Sequence, residues 1–217
     1  MSEKINKAID RLNSILPLKA NQQKLSSEMQ TLHREILYSY IDLGRSLNKG
    51  EIARRVDDVD EAIKTLQQND MVVFDSSGEP IGAYPFTMEK REHKITVNGH
   101  LVYSMCALDS LAISSMYKLE LEINSVCHIS GEPVVIKQKG SEIINAIDVE
   151  DVYFGINWNA ASANSCCADS LCTEMIFLKG ESVANNWFNE NAEHREIFTL
   201  AEAVEFAAGF FNPLLVV

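Results

Sequence analysis

Residues 94–113 read KITVNGHLVYSMCALDSLAI and contain the change of pattern that decides the fold. Strand-like runs lie on both sides of Asn98-Gly99, a dipeptide that favours a tight turn between antiparallel strands. From Met105 onward the residues follow a helical pattern, and Cys106 stands where the strand leads into this helix. The stretch therefore predicts a β-hairpin that runs directly into a helix, with a thiol at the junction.

Downstream of this stretch, strand-like segments alternate with turns and helices. Thr199 and Glu202 form a capping box that predicts the start of a final helix. The predicted strands cover residues 119–126, 134–137, 153–158 and 173–178, and a short helix covers 183–188. Residues 86–217 are therefore predicted to form a mixed, largely antiparallel β-sheet flanked by helices, so the fold class is α+β.

Upstream of the stretch, the pattern is helical and contains no cysteine. Apolar residues recur at helical spacing between Leu32 and Leu43, a short helix is predicted over Lys49–Arg54, and a third is lined by Val59 and Leu66. Two short strands follow, around a Ser-Ser-Gly turn. Three helices and a hairpin are the order of a winged helix-turn-helix. A turn-rich segment then predicts a boundary near residue 85, between a winged-helix-like domain (1–85) and a second domain (86–217).

The formal charge of the 217-residue chain is -12, which argues against a general affinity for nucleic acid or anionic membranes. The helix that would read DNA begins with carboxylates at Asp57, Asp58, Asp60 and Glu61, which would face phosphates. A packing or lid role for the N-terminal domain is therefore favoured over DNA binding. No secretion signal or membrane-spanning segment is predicted, so we expect a cytoplasmic protein with reduced thiols.

Five cysteines, all in the second domain, raise the question of metal or nucleophile chemistry. Cys106 and Asp109 share one face at the start of a helix, where free amides favour a thiolate, and they make a plausible proton-transfer pair. The alternative is a core cysteine beside a capping carboxylate. Cys127, next to His128, is interpreted as a packing residue. The other histidines are expected at the surface, namely His33, His93, His100 and His194.

A second cluster contains Cys166, Cys167 and Cys172. The absence of a C-x-x-C motif disfavours a structural zinc site. Two thiols from distant segments and one carboxylate suit a soft heavy metal, because such ions prefer thiolate to nitrogen or oxygen ligands.

At this point the residues resemble the alkylmercury lyases, also called organomercurial lyases. Thr96–Gly99 followed by Leu101–Asp109 is similar to the first active-site segment of that family, and Ser170–Leu178 is similar to the second. The resemblance implies that Cys106, Asp109 and Cys172 are catalytic.

The resemblance extends to other positions and has departures. Cys127 matches the buried, non-catalytic cysteine of the family, and Trp187 matches a tryptophan that follows the second strand. Met105 and Thr173 stand where some members carry tryptophan and cysteine, respectively. The adjacent pair Cys166-Cys167 looks like an addition, interpreted as a metal relay, a disulfide-prone loop or a feature without a role. A competing alignment places one of this pair in the position that we assign to Cys172.

The resemblance implies a catalytic domain over residues 86–217 that cleaves carbon–mercury bonds by protonolysis and releases a hydrocarbon. Hg(II) would remain as product on Cys106 and Cys172, near Asp109, and no organic cofactor is expected. The expected partners are an organomercurial small molecule and cellular thiols or a mercuric reductase, without nucleic acid or membrane. The alternative is a thiol-based soft-metal binding protein or metal-responsive regulator that lacks lyase turnover.

Overall fold

The computed structural model describes residues 1–161, 167 and 170–216. Its N-terminal third is helical, and serine or asparagine caps start several of the helices. The third helix ends at Gly44, whose φ of 68° suits the left-handed C-terminal position. The five helices are α1 (Glu3–Ile15), α2 (Leu18–Lys24), α3 (Ser27–Leu43), α4 (Lys49–Ile52) and α5 (Val59–Gln68).

A large antiparallel sheet follows and confirms the predicted α+β class. Asn98 and Gly99 form the two-residue turn between its β4 and β5 strands, with φ of 48° and 78°, as predicted. The strands are β1 (Val73–Phe74), β2 (Pro80–Ala83), β3 (Phe86–Thr87), β4 (Lys94–Val97), β5 (His100–Ser104), β6 (Glu120–Val126), β7 (Pro133–Lys139) and β8 (Glu142–Ile143). Their order across the sheet is β1-β2-β3-β5-β4-β6-β7-β8.

Helix α6 (Ala107–Tyr117) lies at the centre of the molecule, directly after β5. Its residues from Ala107 to Met116 are all buried, including Asp109 and three serines. It packs mainly on α8 (Leu200–Phe211), and also on strands of the large sheet and on β10 (Met175–Lys179). Strand β10 belongs to a second, three-stranded sheet, in which it pairs with β9 (Val152–Asn157), and β9 pairs with β11 (Arg195–Thr199). Helix α7 (Glu181–Asn189) lies between β10 and β11 along the chain.

The structure differs from the sequence prediction in several elements. Helices α1 and α2 and strands β3 and β11 had not been predicted individually, and α4 is shorter than the predicted second helix. The β1–β2 hairpin pairs through β3 with the rest of the large sheet. The winged-helix assignment and the boundary near residue 85 stay predictions.

The expected surface position is wrong for two histidines. His33 lies on the buried face of α3 and contacts the amide of Gln22, while His93 contacts the hydroxyl of Ser125 at 2.8 Å. Burial lowers the pKa of His33 to about 4 and that of His93 to about 3, so both are neutral near pH 7. No helix of the described residues has the length and apolar character needed to cross a membrane.

Candidate active site

Cys106 is the N-cap of α6, placed there by the turn that follows β5. Its Sγ atom accepts the backbone N–H of Asp109 at 3.4 Å, which is the bond that an N-cap side chain makes with the first turn. In return, the thiol donates to Asp109 Oδ2 at 2.8 Å. The predicted thiol–carboxyl pair is therefore in direct contact, and both side chains are only 1% exposed.

Cys172 joins this pair from a distant part of the chain. It lies in a 3₁₀ turn, Leu171–Glu174, that immediately precedes β10, so the strand starts three residues later than the thiol. The Cys106 and Cys172 sulfurs and an Asp109 carboxylate oxygen all lie within 4.8 Å of one another. The structure thus brings together the three predicted site residues, and all three are buried.

Burial disfavours the charged forms of all three groups. Desolvation raises the pKa of the Cys106 thiol to about 12 and that of the Asp109 carboxyl to about 7. Contacts with two neighbouring thiols, together with burial, raise the pKa of Cys172 well above its usual range. The helix start was expected to favour a thiolate at Cys106. The hydrogen bond from the Asp109 amide does lower the Cys106 pKa, but desolvation acts in the opposite direction and is the larger effect.

Cys167 adds a further thiol beside the cluster. Its Sγ atom lies 3.6 Å from that of Cys172, and the side chain is buried. The adjacent Cys166 lies outside the described residues. Of the predicted pair, Cys167 is thus next to the site but is not one of the three groups that converge within 4.8 Å.

A cavity of about 230 Å³ leads to Cys172. Two methionines, Met105 and Met175, line its wall together with Ile176. The rest of the lining is polar and comprises Arg91, Glu92, His93, His128 and Thr173. The cavity therefore connects one of the buried thiols to a space large enough for a small organic group.

Cys127 is buried away from the cluster and makes structural contacts. Its Sγ atom accepts the N–H of Ser130 at 3.5 Å and that of Lys179 at 3.3 Å. The neighbouring His128 N–H donates to the Phe177 carbonyl at 2.9 Å. These hydrogen bonds join the turn after β6 to β10, the strand that follows Cys172. They agree with the packing role inferred for Cys127.

Two residues near the site were not singled out from the sequence. Tyr84 is buried, and burial raises the pKa of its hydroxyl; the neighbouring acidic groups that raise it further are Cys172, Asp70, Cys167 and Asp109, so Tyr84 lies close to the cluster. Arg91 donates to the Met105 carbonyl at 3.4 Å. Its positive charge lowers the pKa of Asp109, whereas burial raises it. Both residues reach the site through the pairing of β3 with β5, for which the sequence contains no local signal.

The fold and the site together define an α+β protein with a buried dithiol–carboxyl cluster, the set of donors that a soft metal ion prefers. The family profile described as "MerB: Alkylmercury lyase" matches residues 86–212. This match covers more than half of the chain. The chain therefore belongs to the alkylmercury lyase family, a family of enzymes, as the sequence resemblance had implied.

Individual relatives agree with this family. An alkylmercury lyase of Bacillus cereus is 25% identical over 192 residues, which cover 88% of this chain and 84% of the relative. An alkylmercury lyase of Streptomyces lividans is 23% identical over 173 residues, covering 79% of this chain and 78% of the relative. The crystal structure of the mercury-bound form of MerB2 superposes with a TM-score of 0.73 at 20% identity, over 92% of this chain and 98% of that one, and supports the same fold.

Proposed function

We propose that this protein is an organomercurial lyase that cleaves the carbon–mercury bond by protonolysis, using Cys106, Asp109 and Cys172. The observation that carries the proposal is the 2.8 Å hydrogen bond from the Cys106 thiol to Asp109, made beside the Cys172 thiol. This arrangement offers two sulfurs to one metal and places a proton carrier next to them. Membership of the alkylmercury lyase family supports the substrate class.

The reaction begins with capture of the substrate by thiol exchange. An organomercurial thiolate enters the cavity, and Cys172, which lines it, replaces the small thiolate on mercury. The Cys172 proton leaves with the displaced thiol. Met105 and Met175 line the same path, and their soft sulfurs suit the passage of a soft metal.

The second thiol and the carboxyl then act together. Asp109 accepts the proton that it already shares with Cys106, and the freed Cys106 sulfur binds mercury. Electron donation by two thiolates weakens the carbon–mercury bond. Asp109 returns the proton to the carbon as this bond breaks, so that a hydrocarbon leaves and Hg(II) remains on Cys106 and Cys172. Protons and electrons balance without an oxidant or an organic cofactor.

Asp109 also separates this function from simple storage of a soft metal. A carrier needs the two thiols only. Burying a carboxyl group beside them costs free energy of folding, and proton transfer to carbon is a function that explains its presence there. The raised pKa of Asp109, about 7, lets the group gain and lose a proton near neutral pH. We propose further that cellular thiols or a mercuric reductase remove the Hg(II).

The proposal is tested by incubating the protein with phenylmercury and excess thiol and measuring benzene. We expect catalytic benzene release from the wild type and from Cys127→Ser, a matched control that changes a buried cysteine away from the cluster. Cys106→Ser and Cys172→Ser should each lose turnover. Absence of benzene from the wild type, or wild-type turnover by Cys172→Ser, would refute the proposed function.

A further inference from the structure

Cys172 has two thiols as neighbours. Its sulfur lies within 4.8 Å of the Cys106 sulfur and 3.6 Å from the Cys167 sulfur. Cys106, Cys172 and Cys167 are all buried, with exposures of 1%, 3% and 6%. Cys172 therefore belongs to two thiol pairs. The Cys106–Cys172 pair lies beside Asp109, to which Cys106 is hydrogen-bonded, whereas Cys167 makes the second pair with Cys172.

This arrangement matters because mercury moves between thiols by exchange. A third thiol attacks the metal while the first one leaves, and the ion never has to be released into water. A neighbouring thiol held in van der Waals contact with a ligand sulfur is well placed for such an attack. Hg(II) has the preference for sulfur that makes a third thiol a better acceptor than any oxygen ligand nearby.

We propose that Cys167 is an acceptor thiol for the product, so that Hg(II) passes from the Cys106–Cys172 pair to the Cys172–Cys167 pair before it leaves the protein. This inference rests on the proposed function, because Hg(II) is the product that the lyase reaction forms. The bond from mercury to Cys106 breaks and the bond to Cys167 forms. The Cys167 proton goes to Cys106, so the step needs no oxidant or other reactant.

The transfer resets the catalytic pair. Cys106 regains its proton and can restore its hydrogen bond to Asp109. Hg(II) is then bound by Cys172 and Cys167. The Cys106–Asp109 pair is thus regenerated before an external thiol has taken the metal.

The test uses inorganic HgCl₂, so that it does not depend on carbon–mercury cleavage. Each variant is loaded with one equivalent and titrated with a competing monothiol, and the retained mercury is measured. Cys106→Ser should retain Hg(II) about as tightly as the Cys127→Ser control, because Cys167 and Cys172 remain. The double variant Cys106→Ser/Cys167→Ser, and the single variant Cys172→Ser, should each bind at least roughly tenfold more weakly.

Equal weakening of Cys106→Ser and of the double variant would overturn the inference, because Cys167 would then contribute nothing. A second readout does not need the Cys106 variants to fold. Transfer of Hg(II) from the loaded Cys167→Ser protein to an external thiol should be at least roughly tenfold slower than from Cys127→Ser, and equal rates would contradict the proposal. If the wild type releases no benzene while Cys106→Ser still binds Hg(II) tightly, the lyase function is refuted and the role of Cys167 is not.

Discussion

Asp109 shows at the scale of one residue how the site balances opposing effects. Burial penalises its charged form, whereas the hydrogen bond from Cys106 and the amide at the helix start favour that form. The result is a carboxyl pKa of about 7 in place of the ordinary value of 3.8. A group with this pKa exchanges protons efficiently near neutral pH, which is what the proposed reaction requires of it.

The first prediction concerns the pH dependence of the chemical step. Asp109 must be a carboxylate to accept the Cys106 proton, so the rate of benzene release in a single turnover should rise with pH through about 7 and then level off. Asp109→Asn should be slower by about 10²–10⁴-fold, the usual contribution of a positioned acid or base, and should lose this limb of the profile. If the rate in Asp109→Asn still rises with pH through about 7, a group other than Asp109 is responsible for this pH dependence.

The site residues differ in how far the sequence could predict them. Cys106 and Asp109 are three residues apart on one helix, so local spacing was enough to pair them. Cys172 lies far along the chain, and only the family resemblance placed it beside them. The contact of Cys167 with Cys172, and the approach of Tyr84, depend on the folded path of separate segments, which local sequence does not encode.

At the scale of elements, α6 is the structure on which the site depends. This helix is buried along its whole length, packed on α8 and on strands of both sheets, and its N-cap cysteine lies within 4.8 Å of the third site residue. The hairpin and the helix were predictable from the change of period after Ser104. Strand β3, by contrast, is two residues long, too short for any period to appear, and it exists because it pairs with β2 and β5.

The β1–β2 hairpin reaches the cavity wall at Gly82, which gives the second prediction. A Cβ atom at this position would lie 2.6 Å from the Met105 terminal methyl and 3.3 Å from the Phe86 carbonyl oxygen. Because the Met105 methyl is the end of a flexible side chain, Gly82→Ala should lower the free energy of unfolding by about 1 kcal/mol, the lower end of overpacking effects, and raise the KM for phenylmercury as Met105 shifts.

The matched control for Gly82→Ala is the same change made in a Met105→Ala background, with urea unfolding as the measurement. The loss of stability should be smaller there, because the closest clash is gone. An equal loss of stability in both backgrounds would show that Met105 is not the group that clashes with a side chain at position 82.

At the scale of the whole molecule, the distribution of charge bears on whether the helical N-terminal part binds DNA or has a packing or lid role. The first 85 residues hold 11 basic and 13 acidic side chains, and the remainder holds 8 basic and 18 acidic. Helix α5 starts with Asp58 as its N-cap and has Asp60 and Glu61 in its first turn. This end of the helix would therefore repel a phosphate backbone.

The third prediction is that the protein does not bind DNA, in its free form or after loading with Hg(II). Anisotropy of a labelled duplex should stay constant when micromolar protein is added at about 0.1 M salt, since the electrostatic part of such binding requires excess positive charge. A binding curve that weakens as salt rises would instead support a metal-responsive regulator.

In the proposed mechanism, Asp109 delivers a proton to carbon while two cysteines hold the mercury. The source of this proton is followed in a single turnover with phenylmercury in D₂O, with mass spectrometry of the benzene released. We predict about one equivalent of benzene per protein carrying one deuterium, with Hg(II) retained by the protein, and release slowed about 10²–10⁴-fold in Asp109→Asn. Benzene without deuterium, or an Asp109→Asn variant as fast as the wild type, would contradict the account.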